Sequence, residues 1–389
     1  MILLKNGIVH TMESAPFAGD VLIDGASILA VAARLDAPDA ERIDASGCHV
    51  IPGIIDAHCH IGMWEDGMGE EGADGNECSD PITPQMRAID GLNPFDPCFD
   101  EAVAAGITTV VTGPGSANVI GGQFAALKTH GRTIEERLIQ APIAMKAAVG
   151  ENPKRAYGDQ KATPYTRMAI AALFRKALTD AQEYQTALDE ASRDPGKKPE
   201  RDLALEALLP VLKGELLMKI HAHRADDILT ALRLAREFNL KISIEHCTEG
   251  HLIADVLKEQ TDALCAGVIL GPLLSDRAKI ELRNLSYRAP KTLFDAGVEF
   301  ALMTDHPVIP IQYLPVCAGL MVREGLDEET ALACITKNAA RVVGLSERIG
   351  RIAPGCDADI AIYSGHPFDY RARCITTIIN GRVVYSKKA

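Results

Sequence analysis

The stretch that most constrains this chain is residues 48–60, Cys-His-Val-Ile-Pro-Gly-Ile-Ile-Asp-Ala-His-Cys-His. Its apolar run, Val50 to Ile55, reads as a buried strand. Side chains two apart on a strand share a face. His58 and His60 are therefore expected to leave the strand's C-terminal end together, aimed at one point. Two neutral imidazoles so aimed are half of a transition-metal site. A His-x-His pair also occurs in ordinary turns, so the remainder of the chain decides between the two.

Several function classes fall away on composition. The chain has 389 residues and a formal net charge of −13. That acidity argues against nucleic acid as a partner, because phosphate contacts need a clustered basic surface. The apolar content of 47% is that of an ordinary globular protein, and the length suits one large core with a small accessory domain. No run reaches the ~18 apolar residues that span a bilayer, and Met1 to Gly7 turns polar too soon for a signal peptide. The ten cysteines form no CxxC pair. They read as reduced thiols of a cytoplasmic protein. A small-molecule substrate and a symmetric homo-oligomer are the default expectations.

The two ends share one style. Asn6-Gly7, Asp24-Gly25 and Asn380-Gly381 each separate short apolar runs, and such dipeptides signal β-hairpins. Residues 1–52 and 344–389 are expected to build one small β-sandwich from both termini. Residues 53–343 alternate apolar runs at 51–57, 108–111, 123–127, 143–147, 217–220, 242–244, 263–270 and 300–303 with helical stretches at 165–193, 202–213, 225–238, 250–258 and 327–343. Eight strands alternating with helices predict an α/β fold, a (β/α)8 TIM barrel, whose chemistry lies at the strands' C-terminal ends.

Those ends carry ligand-type residues. Met218-Lys219-Ile220 runs into His221-Ala222-His223-Arg224. Ile242-Ser243-Ile244-Glu245 runs into His246. Ala301-Leu302-Met303-Thr304 runs into Asp305-His306. With only eleven histidines in the chain, this repeated placement points to a shared site. The acidic, glycine-rich segment 65–80 directly after His60 is a candidate lid, with a plain solvated loop as the alternative. His251 and His306 read as structural.

At these residues the chain resembles the amidohydrolase superfamily over nearly its whole length. Gly53-Ile54-Ile55-Asp56-Ala57-His58-Cys59-His60 is similar to that family's first-strand signature, and Gly350 to Ile360 to the segment returning to its composite sandwich. Lys219 to Arg224 resembles the imidazolonepropionase-like and prolidase-like branch. The resemblance implies metal ligation by His58, His60, His221, His246 and Asp305. It also implies a carbamylated fourth-strand lysine bridging two ions, with Lys146 the best-placed candidate. The alternative for Lys146 is a lysine that reaches solvent or pairs with an acid. The implied cofactor is one or two divalent ions, zinc first, with manganese, iron or cobalt also fitting such ligands.

The implied activity is hydrolysis of a C–N bond in an amide, cyclic amide or dipeptide, with Asp305 as general base and acid. His223 is the candidate for polarising the carbonyl or binding substrate. One departure matters: where deaminases and imidazolonepropionases of this superfamily carry a glutamate, this chain has Arg224. That disfavours the alternative, deamination of a heterocycle; a non-catalytic scaffold on the same fold is the weaker alternative, because the metal-ligand positions that scaffold relatives lose stand here. Arg224 and Arg155 become candidates for receiving a substrate carboxylate.

Overall fold

The computed structural model describes residues 1–264 and 267–387. Among the described residues, sixteen strands fall into two sheets. The first takes β1 (Ile2–Val9), β2 (Phe17–Asp24), β3 (Ser27–Ala32), β4 (Glu41–Asp44) and β5 (His49–Pro52) from one end of the chain. From the other end come β14 (Ile360–Tyr363), β15 (Cys374–Ile379) and β16 (Arg382–Ser386). The strands run in the order β16-β15-β14-β5-β1-β2-β3, with β4 also paired to β1. The two ends are thus joined in one hydrogen-bonded sheet. Its buried face includes Leu4, Val9, Val21, Val50, Ile360 and Ile378.

Asn6-Gly7 is not a hairpin turn. It lies inside β1, where pairing with β2 shifts register between Leu4 and Gly7. Asn6 sits at φ +63, and Asp20 accepts from its backbone N–H at 2.9 Å. That contact keeps the chain in the sheet, so the dipeptide makes a bulge that bends one strand. The first half of β1 can then pair with β4 and the last residues with β5. Asp24-Gly25 and Asn380-Gly381 do turn hairpins, with Asn380 at φ +48 and Gly381 at φ +70.

The second sheet is the barrel: β6 (Ile54–Cys59), β7 (Ile107–Thr112), β8 (Ile120–Lys128), β9 (Leu138–Ala148), β10 (Leu217–Ala222), β11 (Ile242–His246), β12 (Gly267–Leu270) and β13 (Ala301–Leu302), neighbours in that order. Backbone bonds from Asp305 N to His58 O (3.2 Å) and His60 N to His306 O (2.8 Å) bring the last strand's end back to the first. One strand departs from a pure (β/α)8 pattern, since β8 is antiparallel to both neighbours. The reason is the length of 113–119: seven residues allow a reversal but not the crossover helix that parallel strands need.

The two faces of the barrel strands bury different things. Outward residues such as Val110, Ile220, Ile244 and Leu302 pack on helix residues including Phe174, Leu178 and Leu232. Inward residues Ile55, Val111, Phe124, Ile269 and Met303 pack with Ala339 and Ala340, which belong to the helix Lys337–Val342. The long helix Arg167–Ala191 starts where Thr166 accepts from Ala169 N–H, an N-cap, and buries Ile170, Phe174 and Leu178. The stretch 327–343 is two helices, Glu328–Cys334 and Lys337–Val342, broken at Thr336. The run 263–270 is strand only over Gly267–Leu270. Its start, Ala263 and Leu264, ends the helix Ala254–Leu264, and residues 265–266 lie outside the described residues. Among the described residues, no helix is long and apolar enough to cross a membrane.

Candidate active site

His58 and His60 converge as expected, with rings 5.1 Å apart, but through more than simple alternation. Pairing of β6 with β7 shifts register between Asp56 and Cys59, a bulge that re-aims the side chains beyond it. Asp56 fixes the bend from below, accepting from the N–H groups of His58 (3.1 Å) and Thr304 (3.2 Å) and from the Thr304 hydroxyl. Burial pushes the Asp56 carboxyl up to about 7.

Around this pair the strand ends close in. Asp305 Oδ1 lies 3.2 Å from His60 Nε2 and 3.6 Å from His58 Nε2. Lys146 Nζ lies 3.1 Å from His58 Nε2. Ligand atoms of His58, His246 and Asp305 lie within 4.8 Å of one another, as do those of His221, His223 and His246. His246 is shared, so the two groups form one continuous cluster. Two of its members stand in left-handed backbone, His246 at φ +68 and Asp305 at φ +54. Strand parity alone would turn His246 away with Ile242 and Ile244; the unusual backbone brings it inward. Strain of this kind persists only where surrounding contacts hold it.

The hydrogen bonds of the outer ring nitrogens set the tautomers. His60 Nδ1 donates to Gly113 O (2.7 Å) and His246 Nδ1 to Gly271 O (3.0 Å). His221 Nδ1 pairs with Ser116 Oγ at 2.9 Å. For His246, which burial holds neutral, Nε2 then carries the lone pair. Among the described residues, the buried Nε2 atoms of His221 and His246 have no hydrogen-bond partner. Burial holds the imidazoles of His58, His221, His223 and His246 neutral, far below their ordinary pKa. The Asp305 carboxyl is held down to about 2: burial opposes its charge, but His246 and His60 outweigh it. The partnerless Nε2 atoms of His221 and His246, beside an ionised carboxylate, fit a divalent cation. Lys146 is fully buried, and burial pushes its amine down to about 8.

Beneath the cluster lies a buried layer that sequence reasoning missed. Glu245 Oε2 lies 2.7 Å from His58 Nδ1 and 3.0 Å from Lys219 Nζ, while Ser243 Oγ donates to the other oxygen. The available signal was a charged residue inside each of two apolar strand runs. Above the cluster, the loop after β12 brings Glu281 Oε1 to 3.5 Å from both His221 Nε2 and His223 Nε2, with Lys279 Nζ at 2.8 Å from that oxygen. Nothing in the loop's composition marked it.

Two expected substrate contacts are not brought to the cluster. Arg155 turns outward, 72% exposed and 3.8 Å from Asp159, because it lies on the solvent side of the helix Glu151–Gly158. Arg224 is clamped by Asp226 through two bonds of 2.9 and 2.8 Å. The loop after β12 brings a different cation, Lys279, to the Glu281 carboxylate beside the histidines.

The acidic segment after His60 meets the site through Trp64, which is bridged to Ala73. Trp64 packs edge-on against His60, rings 5.0 Å apart. Asn76 Oδ1 accepts from Ala117 N–H, and Asn118 and Tyr157 donate to the carbonyls of Glu77 and Asp80. His251 Nδ1 is spent on the Thr248 carbonyl.

This geometry has parallels among known proteins. A family model described as "Amidohydrolase family" matches residues 213–385. A crystal structure of an amidohydrolase from Thermotoga maritima MSB8 superposes with a TM-score of 0.96 at 43% identity, covering 100% of both chains. An imidazolonepropionase of Paracoccus denitrificans is 27% identical over 94% of this chain and 93% of its own length. Amidohydrolase tasK of Hapsidospora irregularis is 29% identical over 97% of this chain, which spans 42% of that longer protein. With an eight-stranded barrel, histidines at its strand ends and a relative alike from end to end, the chain belongs to the amidohydrolase superfamily.

Proposed function

We propose that this protein is a metal-dependent hydrolase of amide-type C–N bonds in small molecules, cyclic amides and dipeptide-like compounds included. One observation carries the reading: the Asp305 carboxylate lies in one ligand-type group with His58 and His246, and His246, whose buried Nε2 has no hydrogen-bond partner among the described residues, joins that group to His221 and His223. His58, His60, His221, His246 and Asp305 would hold the ion, zinc in the first instance, with Lys146 joining them as a carbamate. When bound, a divalent ion supplies Lewis acidity and lowers the pKa of water to about 7. Asp305 then takes a proton from the attacking water and returns it to the leaving nitrogen. Its low pKa keeps it ionised at neutral pH. Glu245 holds the His58 ring from behind. His223, stacked on His246 with ring centroids 4.3 Å apart, faces the same space and is placed to steady the substrate carbonyl. Lys279 replaces Arg155 and Arg224 as the candidate partner of a substrate carboxylate. The free thiols among the described cysteines favour a reducing compartment, the cytosol.

A second reading has one observation behind it. Glu281 places a carboxylate beside His221 and His223, a proton carrier of the kind missing at Arg224. An aminohydrolase acting on a heterocycle would use it. The deciding experiment is a screen of zinc- and manganese-loaded protein against dipeptides, N-acyl amino acids and lactams, run beside an ammonia-release assay on aminoheterocycles. Hydrolysis that disappears on chelation supports the first reading. Ammonia release alone supports the second. Turnover of neither class by fully loaded protein contradicts both.

A further inference from the structure

A second cluster of ligand-type side chains lies apart from the one just described and shares no residue with it. Ligand atoms of Asp96, Cys98 and His306 lie within 4.8 Å of one another. All three side chains are buried, with residue exposures of 2, 3 and 4%. Neither ring nitrogen of His306 has a hydrogen-bond partner among the described residues. A buried imidazole with both nitrogens unpaired is costly, and native structures rarely tolerate that without a partner.

The backbone around the cluster is well fixed. His306 N–H donates to Thr304 Oγ1 at 3.1 Å, and its carbonyl accepts from His60 N–H at 2.8 Å. Asp96 accepts from Cys98 N–H at 3.0 Å through one oxygen and from Gly62 N–H at 3.1 Å through the other. Each carboxylate oxygen keeps a further lone pair. The two N–H bonds orient the carboxylate as outer-sphere contacts orient metal ligands elsewhere.

We infer that Asp96, Cys98 and His306 form a second cation site, built for a thiophilic divalent ion such as zinc. One sulfur, one imidazole nitrogen and one carboxylate oxygen are all donor types that zinc takes, three of them leaving the fourth tetrahedral position to water, and thiolate disfavours magnesium and calcium. Without an ion the Cys98 thiol stays protonated, pushed up to about 12 by burial and by the Asp96 charge. Binding therefore forms a sulfur–metal bond and releases the thiol proton to solvent. The site would tie the helix Cys98–Ala104 to the turn that carries Asp305, holding that turn from a second side. It does not depend on what the histidine cluster hydrolyses.

The test uses whole protein produced in cobalt-supplemented medium, so that a buried site fills during folding. The groups of ligand atoms at the histidine cluster include no thiol, so a near-ultraviolet sulfur-to-cobalt charge-transfer band reports this site alone. The expected result is that band in the wild type, its loss in Cys98→Ser, and about one fewer ion per chain in the variant. His306→Gln should weaken or abolish the band with Cys98 still present, which keeps the test decisive if Cys98→Ser fails to fold. A cobalt-loaded wild type with no thiolate band overturns the proposal. So does a band that survives both substitutions.

Discussion

Glu245 Oε2 stands 2.7 Å from His58 Nδ1, deep beneath the histidine cluster, and the same oxygen is 3.0 Å from Lys219 Nζ. One buried carboxylate therefore sits against the ring of His58, a proposed metal ligand, and against a buried ammonium. Glu245→Gln should lower metal affinity about 10–100-fold, as losses of outer-sphere partners do. It should also destabilise the metal-free protein by roughly 3–5 kcal/mol by leaving Lys219 unpaired. Adding Lys219→Met should recover most of the stability and little of the affinity. Competitive metal titration and urea unfolding separate the two effects. Equal recovery of both would show that Glu245 acts only on folding.

Asp305→Asn should reduce kcat by about 10²–10⁴-fold with the fold intact. Asparagine tolerates the left-handed backbone at φ +54, so the loss would trace to the carboxylate. Steady-state kinetics with circular dichroism checks this. Activity near wild type would remove Asp305 from proton transfer.

The Lys146 amine, pushed down to about 8 by burial, must be neutral to take up CO2. Below that pH the reactive fraction falls about tenfold per unit. Metal uptake by chelator-stripped protein should therefore require bicarbonate and quicken as pH rises toward about 8. Carbon-13 bicarbonate should yield a carbamate resonance that is absent in Lys146→Met. Uptake indifferent to bicarbonate would leave Lys146 a plain buried amine.

Far from the barrel mouth, His10 Nε2 pairs with His49 Nδ1 at 2.8 Å, and His10 Nδ1 lies 2.7 Å from Glu329. His366 and Glu328 complete the charged surroundings. Burial first, and neighbouring imidazoles second, hold His10 and His49 at about 4, below the ordinary 6.5. Unfolding lets both bind protons at a higher pH, so their stabilisation is complete above about 6.5 and lost as pH falls toward about 4. The loss between those limits should be about 3 kcal/mol from buried His10, with a smaller share from the partly exposed His49. His10→Gln should flatten that slope in chemical unfolding followed between pH 7 and 5. An unchanged slope would contradict the assignment.

The strand ends were legible because barrel strands buried on both faces read as apolar runs, and a ligand-type residue ending each run stands out. What lay off those runs was not. Glu281 and Lys279 come from an irregular loop, where spacing carries no information about distance. Arg155 looked available because sequence cannot tell which side of a helix faces water. His246 reaches the cluster through a left-handed residue that strand parity does not foresee. Asn6-Gly7 had hairpin chemistry, yet Asp20, fourteen residues away, kept the strand going.

The central claim is that the convergent lone pairs grip a divalent ion. The most direct measurement is a crystal of active protein with diffraction recorded on either side of the zinc absorption edge. The account predicts an anomalous peak bounded by His58, His60, His246 and Asp305, lost together with activity after chelation. Active protein with no peak among those four side chains would contradict it.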